Sequence, residues 1–397
     1  MAVESFSNDD GVANHNGVAA PASNGTPAPV SFGTSARGQE LARVSSTPLV
    51  SAHPASDSPH PASDSPPAEE VVSSMDRGLV SASHTAFRSF QERLRESSHG
   101  MVLDGGLGTH LADRGNDISD ALWSARILRN NPDEVRAAHE DFFRAGAQVA
   151  TTCSYQVTFD GLAQAGASRA ETEELLRASV RLAREAAESI RDAPRLVAAS
   201  IGPYGAGPGQ GTEYDGAYRL TAAELAAWHR PRLEILANTD ADFLLAETIP
   251  SILEVEALTS EFARIEKPAI LSITVADGRL RDGSSLEDVA TIVSGSKLAG
   301  LGINCCTTAD ALTALRVLAP LCDLPMAVYP NSGESWDHVV RQWMGDEEEI
   351  SLISSVPALI AAGAHLIGGC CRVTPQHIAA IAAHVCSQRG ADLSPKN

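Results

Sequence analysis

Leu196-Val-Ala-Ala-Ser-Ile-Gly-Pro-Tyr-Gly205 is the stretch on which the fold turns. Its first six residues are almost continuously apolar and too few for a helix, and Gly202-Pro203 closes the run. Continuity without alternation is the pattern of a strand covered on both faces, as in a parallel sheet flanked by helices. Seven more runs of this kind follow or precede it: Met101–Leu103, Ala147–Thr152, Asp242–Ala246, Ala269–Val275, Gly300–Ile303, Met326–Tyr329 and Leu366–Ile367. Helical stretches lie between them. In Ala170–Ile190, Leu175, Leu176, Val180, Ala183, Ala187 and Ile190 recur at the spacing of one helix face. Ser168 with Glu171 and Thr221 with Glu224 have the spacing of a capping box, and Thr374-Pro375 reads as an N-cap followed by proline at the first helical position.

Eight strand–helix units in about 300 residues match a (β/α)8 (TIM) barrel in count and length. A doubly wound open sheet is the alternative, and it would carry a glycine-rich phosphate loop after its first strand. Asp104-Gly-Gly-Leu-Gly-Thr109 lacks the G-x-G-x-x-G spacing, so the barrel is the better reading.

Outward from the barrel the composition changes. Residues 1–90 are rich in Ser, Ala, Pro, Gly, Asn and His, and one heptapeptide stands twice in tandem, His53–Pro59 and His60–Pro66. Such a segment buries too little apolar surface to offset the entropy of ordering it, which predicts a disordered low-complexity tail over 1–90 and a barrel over 91–390. Its first residues lack the basic and apolar regions of a signal peptide. The whole chain has 397 residues and a formal charge of −20, which argues against nucleic acid as a partner. No run of 18 apolar residues offers a membrane span. Seven cysteines, an odd number, do not make a secreted disulfide framework, so the expected location is the cytoplasm. Self-association is compatible with a barrel, but no helix marks an interface.

In a barrel the chemistry sits where strands end at the C-terminal rim. The polar residues there are Asp104, Ser154-Tyr155, Gly202-Pro-Tyr-Gly205, Glu247-Thr248, Asn304-Cys305-Cys306, Pro330-Asn331-Ser332 and Gly368-Gly-Cys-Cys371. Cysteines from two strand ends would converge, and soft thiolates at one rim are what Zn2+ selects. A count of three ligands, with the fourth thiol a neighbour, leaves a position open to a substrate thiol, whose pKa the metal would lower. Gly368-Gly369 lets the adjacent cysteines turn toward one ion. Cys153, Cys322 and Cys386 read as core thiols. His229, His338, His365 and His384 read as surface or satisfied helix positions, and Asp346–Glu349 as a solvated helix start.

Residues about 98–386 resemble the homocysteine S-methyltransferases. The motifs that carry the resemblance are Asp104-Gly-Gly, Asp120-Ala-Leu-Trp-Ser124, Gly202-Pro-Tyr-Gly205, Glu247-Thr-Ile-Pro250, Gly302-Ile-Asn-Cys305, Val328-Tyr-Pro-Asn-Ser-Gly-Glu334 and Gly368-Gly-Cys-Cys-Arg372. They are most similar to the branch that uses S-methylmethionine or S-adenosylmethionine. The resemblance implies one Zn2+ per chain held by Cys305, Cys370 and Cys371, with homocysteine thiolate in the open position. It implies that Asp104 and Glu247 bind the homocysteine amino group. Apart from the resemblance, Tyr155, Asn304 and Asn331 at the same rim read as further substrate contacts, and they and Tyr204 read equally as rim packing or as supports behind the contacts. The thiolate attacks the donor methyl in line to form methionine, and no catalytic side chain is needed beyond the zinc-activated substrate. An anionic zinc–thiolate centre suits a cationic sulfonium donor. One departure stands out: Thr109-His-Leu-Ala112 replaces a Thr-Glu-Leu-Glu pattern, so two acids are missing. Methylation of another thiol or selenol, such as selenohomocysteine, is the second enzyme reading, and a non-catalytic zinc-binding barrel is a third.

Overall fold

The architecture is that of a computed structural model, which describes residues 90–96, 100–118, 122, 124–207, 213–333, 335–337, 342–344 and 349–392. The tandem heptapeptide and the rest of residues 1–89 lie outside the described residues, as do Asp120, Trp123, Glu334, His338 and Asp346 to Glu348.

Eight strands build the barrel: β1 (Met101–Val102), β2 (Val149–Thr151), β3 (Leu196–Ile201), β4 (Phe243–Ile249), β5 (Ala269–Ile273), β6 (Gly300–Asn304), β7 (Met326–Tyr329) and β8 (Ala364–Ile367). They pair in parallel in the order β1-β8-β7-β6-β5-β4-β3-β2. The circle closes between the first two strands. Leu103 bridges Val149 in parallel, Asp104 N donates to Val149 O at 3.0 Å, and Gln148 N donates to Val102 O at 2.7 Å. Closure removes the edges an open sheet would present.

Each expected strand is present. The near-continuous apolar runs exist because successive side chains face opposite walls of the barrel. Along β3, Leu196 and Ala198 point into the interior cluster with Leu103, Phe243, Leu245, Ile270 and Leu366. Val197, Ala199 and Ile201 point outward into the larger cluster shared with the helices. The largest difference from expectation is β4, which runs past Ala246 to Ile249 with a register shift between those residues. Thr248 there has φ of +63°, so the strand kinks instead of stopping.

A first helix, α1 (residues 90–96), precedes the barrel, and the outer ring contains α2 (Leu107–Asp113), α3 (Ser124–Asn130), α4 (Pro132–Arg144), α5 (Phe159–Gln164), α6 (Arg169–Ser189), α7 (Ala222–Ala237), α8 (Ile252–Phe262), α9 (Leu286–Val293), α10 (Thr308–Leu318), α11 (Glu349–Ala361) and α12 (Pro375–Asp392). Both capping boxes expected from sequence have their N-cap bonds. Ser168 Oγ accepts from Glu171 N at 3.2 Å, and Thr221 Oγ1 accepts from Glu224 N while Glu224 Oε2 accepts from Thr221 N. Each such cap is worth about 1 kcal/mol. At the start of α12, Thr374 N donates to His377 Nδ1 at 3.1 Å.

The N-terminal end of the barrel is plugged by α1. Phe90 and Leu94 are buried in the interior cluster, and the Phe90 ring lies 4.9 Å from that of Phe243. Gln91 Nε2 donates to Leu298 O at 3.2 Å, and Arg95 pairs with Asp323 at 3.0 Å. Phe90 falls on the tail side of the expected 90/91 boundary, yet its side chain is part of the barrel interior. No helix among the described residues is long and apolar enough to cross a membrane.

Candidate functional site

At the other end, the ends of β6 and β8 bring three thiols together. Cys305, Cys370 and Cys371 offer Sγ atoms that all lie within 4.8 Å of one another, with Cys305 and Cys371 3.7 Å apart. Thiolates bound at about 2.3 Å to one tetrahedral zinc stand about 3.8 Å apart, so the donor set and its spacing fit that ion. Cys306 is not in the cluster; its side chain is buried in the outer core and burial pushes its thiol upward.

The backbone explains how adjacent cysteines separate or converge. Cys305 has φ of +54°, an uncommon conformation for a residue with a Cβ, and it turns the chain at the strand end. Thr274 Oγ1 donates to Cys305 O at 3.2 Å and holds that turn. On β8 the glycine pair permits close approach. A Cβ on Gly368 would meet Asp104 O at 2.7 Å, and one on Gly369 would meet Val373 Cγ1 at 2.2 Å. Cys370 N then donates to Pro330 O at 2.8 Å and Cys371 N to Asn331 Oδ1 at 3.1 Å, which fixes both thiols at the rim. Hydrogen bonds from Cys370 and Cys371 draw the Cys305 thiol well below its usual range, while sharing that proton pushes the other two up. The cluster therefore holds one thiolate readily, and a dication would be needed to hold three.

The cysteines line a cleft of about 920 Å3, counting its open side, walled also by Gly105, Thr151, Tyr155, Tyr214, Glu247 and Tyr329. Glu247 is 8% exposed, and Ser200 Oγ donates to its Oε1. Burial raises its carboxyl to about 7. Asp104 is 1% exposed and is absent from the cleft wall; its oxygens accept from Thr151 N at 2.7 Å and Thr151 Oγ1 at 2.8 Å. Burial, with a further push from the charge of Glu247, raises it to about 8. Burial holds both carboxyls toward their protonated forms, and a cation placed against either would favour its ionised form.

Tyr155 stands on the cleft wall as expected, its phenol pushed well above 10 by burial and then by Glu213 and Cys305. Asn304 and Asn331 do not line the cleft. Asn304 Oδ1 accepts from Thr248 N at 2.8 Å and Ser272 Oγ at 2.7 Å, and its Nδ2 donates to Thr248 Oγ1 at 2.9 Å and reaches Cys370 Sγ at 3.8 Å. It braces the kinked end of β4 against the cysteines, and Asn331 braces Cys371. Of the core thiols, Cys153 and Cys322 are buried, whereas Cys386 is exposed. That last expectation fails because Cys386 lies on the solvent side of α12, rotated off the face that buries Ile378, Ile381 and Val385. His110 and Ala112, which replace the two acids, do not reach the cleft either. His110 Nε2 instead lies 3.0 Å from Asp141 Oδ2 on α4.

Tyr214 is the main residue that sequence reasoning missed. Its Oη lies 2.8 Å from Cys305 Sγ, and the Arg281 guanidinium stands 5.4 Å from its ring centroid. It follows a glycine-rich stretch, Gly205 to Gly211, with no strand end beside it to flag it.

A family model for homocysteine S-methyltransferase matches residues 101–385. The chain is 42% identical over 292 residues to the homocysteine S-methyltransferase of Escherichia coli K12, covering 71% of this chain and 94% of that protein. It is 40% identical over 297 residues to homocysteine S-methyltransferase YbgG of Bacillus subtilis, covering 71% and 93%. It is also 36% identical over 329 residues to a selenocysteine Se-methyltransferase of Brassica oleracea, covering 76% and 94%. Among solved structures it is similar to the metallated form of the E. coli homocysteine methyltransferase MmuM, at a TM-score of 0.65 and 41% identity, covering 72% of this chain and 96% of that one. The oxidized form of the same enzyme superposes at 0.66, with the same identity and coverage.

Proposed function

Because this chain belongs to the homocysteine S-methyltransferase family, we propose that it transfers a methyl group from a sulfonium donor, S-methylmethionine or S-adenosylmethionine, to the sulfur of homocysteine, with zinc held by Cys305, Cys370 and Cys371. The observation that carries this reading is the three-thiol cluster on the wall of the cleft that Glu247 shares. Zinc bound there would lower the pKa of a coordinated substrate thiol and so supply a thiolate at neutral pH.

The chain's own residues do the rest. Glu247, on the cleft wall, takes the ammonium group of homocysteine, and the buried Asp104, held off the wall by Thr151, adds a second carboxyl nearby. That contact sets the direction in which the thiol points, and orientation of this kind is worth several kcal/mol of the barrier. Tyr155 and Tyr214 cover the cleft beside Cys305 and exclude water from the nucleophile. Glu213, also on the wall, adds negative charge to the cleft that a cationic donor would enter. Methyl transfer from a sulfonium to a thiolate moves no proton, so no general base is required once the thiol is ionised.

The test is direct. Purified protein is assayed for metal by mass spectrometry and for methionine formation from homocysteine with each donor. The expected result is about one zinc per chain and turnover with at least one donor. Metal-loaded protein that methylates neither homocysteine nor selenocysteine with either donor overturns the reading. A strong preference for the selenol assigns the chain to the activity named for its Brassica relative.

A further inference from the structure

Outside the cleft, between α7 and α8, lies a buried ionic circuit that the chemistry above does not use. Arg232 is 1% exposed, and His229 and Glu254 are fully buried. Arg232 Nη2 donates to His229 Nδ1 at 3.1 Å, and His229 Nε2 donates to Glu254 Oε1 at 2.8 Å. These partners define a neutral imidazole protonated on Nε2, and burial, which disfavours its charged form, agrees. One cation and one anion are thus joined through a neutral relay.

Both ends of the circuit grip backbone at the rim of the barrel. Arg232 Nη2 also donates to Gly202 O at 2.8 Å, and its Nη1 reaches Tyr155 O at 3.4 Å. Glu254 Oε1 also accepts from Tyr204 N at 2.6 Å. The loops after β2 and β3 are therefore tied to the same three side chains. Between the loops, Gly202 N donates to Tyr155 O at 3.2 Å. A Cβ on Gly202 would come within 3.0 Å of Tyr155 Cδ2 and Cε2, so the tyrosine ring rests on bare backbone. The Trp228 ring supports the other side of the guanidinium, 4.5 Å from its centroid. A buried charge pair is an expensive way to hold two loops, and a hydrophobic contact would serve stability as well. What hydrogen bonds to carbonyls add is direction: they fix where the backbone of Tyr155, and hence its side chain on the cleft wall, can stand.

We infer that Arg232, His229 and Glu254 are positioning residues for the methyl transfer, acting through Tyr155. This rests on the proposed reaction. Because Glu247 and the cysteines hold the acceptor, the clamp sets the alignment of the reacting groups more than the affinity for homocysteine.

The experiment compares Arg232→Met, Arg232→Lys and the double variant Arg232→Met/Glu254→Gln, each in wild-type and Tyr155→Ala backgrounds. The double variant removes both buried charges together, so it folds without a lone ion where Arg232→Met alone fails. Rates are normalised to folded, zinc-loaded chain. The expected result is a fall in kcat of about 10- to 100-fold, the scale of a small misplacement of reacting groups. The KM for homocysteine stays within about threefold, metal content is unchanged, and Arg232→Lys restores part of the rate. In the Tyr155→Ala background the same changes cost less than about threefold more, since the group they act through is gone. A double variant with wild-type kcat overturns the inference, as does a full additional loss in the Tyr155→Ala background. If the wild-type protein methylates no thiol, the proposed reaction falls by itself. The clamp is then read from hydrogen exchange of the Gly202 amide, which accelerates in the double variant if the circuit holds Tyr155 O in place and is unchanged if it does not.

Discussion

The two ends of the barrel solve opposite problems. At the N-terminal end, α1 seals the interior with Phe90 and Leu94 against Phe243, and its described polar contacts are the Gln91 bond to Leu298 O and the exposed Arg95–Asp323 pair. At the C-terminal end, Thr248, Cys305 and Arg372 hold positive φ angles without being glycine, and two buried carboxyls sit beside three thiols. The plug stabilises and does no chemistry; the rim does chemistry at a cost in stability. Barrels in general divide labour this way, with conserved function on one face and folding energy on the other. The comparison predicts that substitutions at the two ends separate cleanly into activity and stability effects.

The largest effect belongs to the rim. Cys370→Ser replaces a soft thiolate with a hydroxyl that cannot ionise near neutral pH, in a cluster with no fourth thiol among the described residues, since Cys306 faces the core. Zinc content and turnover should both fall by about three orders of magnitude or more, on the scale of losing an activated nucleophile, while the denaturant midpoint of the metal-free chain barely moves. A Cys370→Ser protein that keeps zinc and activity breaks the three-thiol assignment.

At the plug the pattern reverses. Phe90→Ala removes a ring buried on Phe243. The cost should be about 3 kcal/mol in chemical denaturation, from lost transfer free energy and the cavity left behind. The kcat of the folded fraction should be that of wild type. A loss of kcat without a loss of stability would show that the two ends are coupled.

Glu247→Gln tests the rim's cost. The carboxyl is raised from 4.5 to about 7 by burial, so the folded chain binds this proton more tightly than the unfolded chain does. Its contribution to stability is therefore fully present below about pH 4.5 and declines as the pH rises to about 7, by about 3 kcal/mol. With glutamine that decline should disappear, leaving the ligand-free variant at least as stable as wild type at pH 8 while homocysteine turnover drops by about 100-fold. Unfolding curves at pH 5 and pH 8 for both proteins decide it. A variant that is less stable than wild type at pH 8 would mean that Glu247 is held by partners strong enough to offset its burial.

The rim also shows what a sequence can and cannot convey. The strands were legible because burial on both faces leaves uninterrupted apolar runs, and their ends located Cys305, Cys370, Cys371 and Glu247. Direction at a strand end was not legible, because it depends on the sign of φ at single residues. Thr248 and Cys305 both adopt the left-handed region, which no propensity would assign to them. Hence Asn304, correctly placed at the rim, turns out to brace Thr248 and Cys370 instead of facing the cleft. Tyr214 arrives from a glycine-rich stretch with no periodicity to register it, and His229 looked like an ordinary helix position because its partners come from residues 3 and 25 positions away.

The smallest expected effect lies outside both ends. The family match begins at residue 101, and the first described contacts with the barrel interior are those of α1. Residues 1–85 are dominated by Ser, Pro, Ala and Gly and carry few large apolar side chains, so we propose that they add nothing to the core. Deleting them should leave kcat, KM and the denaturant midpoint at wild-type values, whereas extending the deletion to residue 96 removes the plug and should cost more than Phe90→Ala alone. The pair of truncations sharpens the comparison, because they differ by 11 residues and the longer one removes the buried Phe90 and Leu94. Equal stability of the two would show that the N-terminal end of the barrel is closed by β-strand packing alone and that α1 is decoration. A loss of activity already in the shorter one would place a functional contact in the tail, a third region beside the plug and the rim.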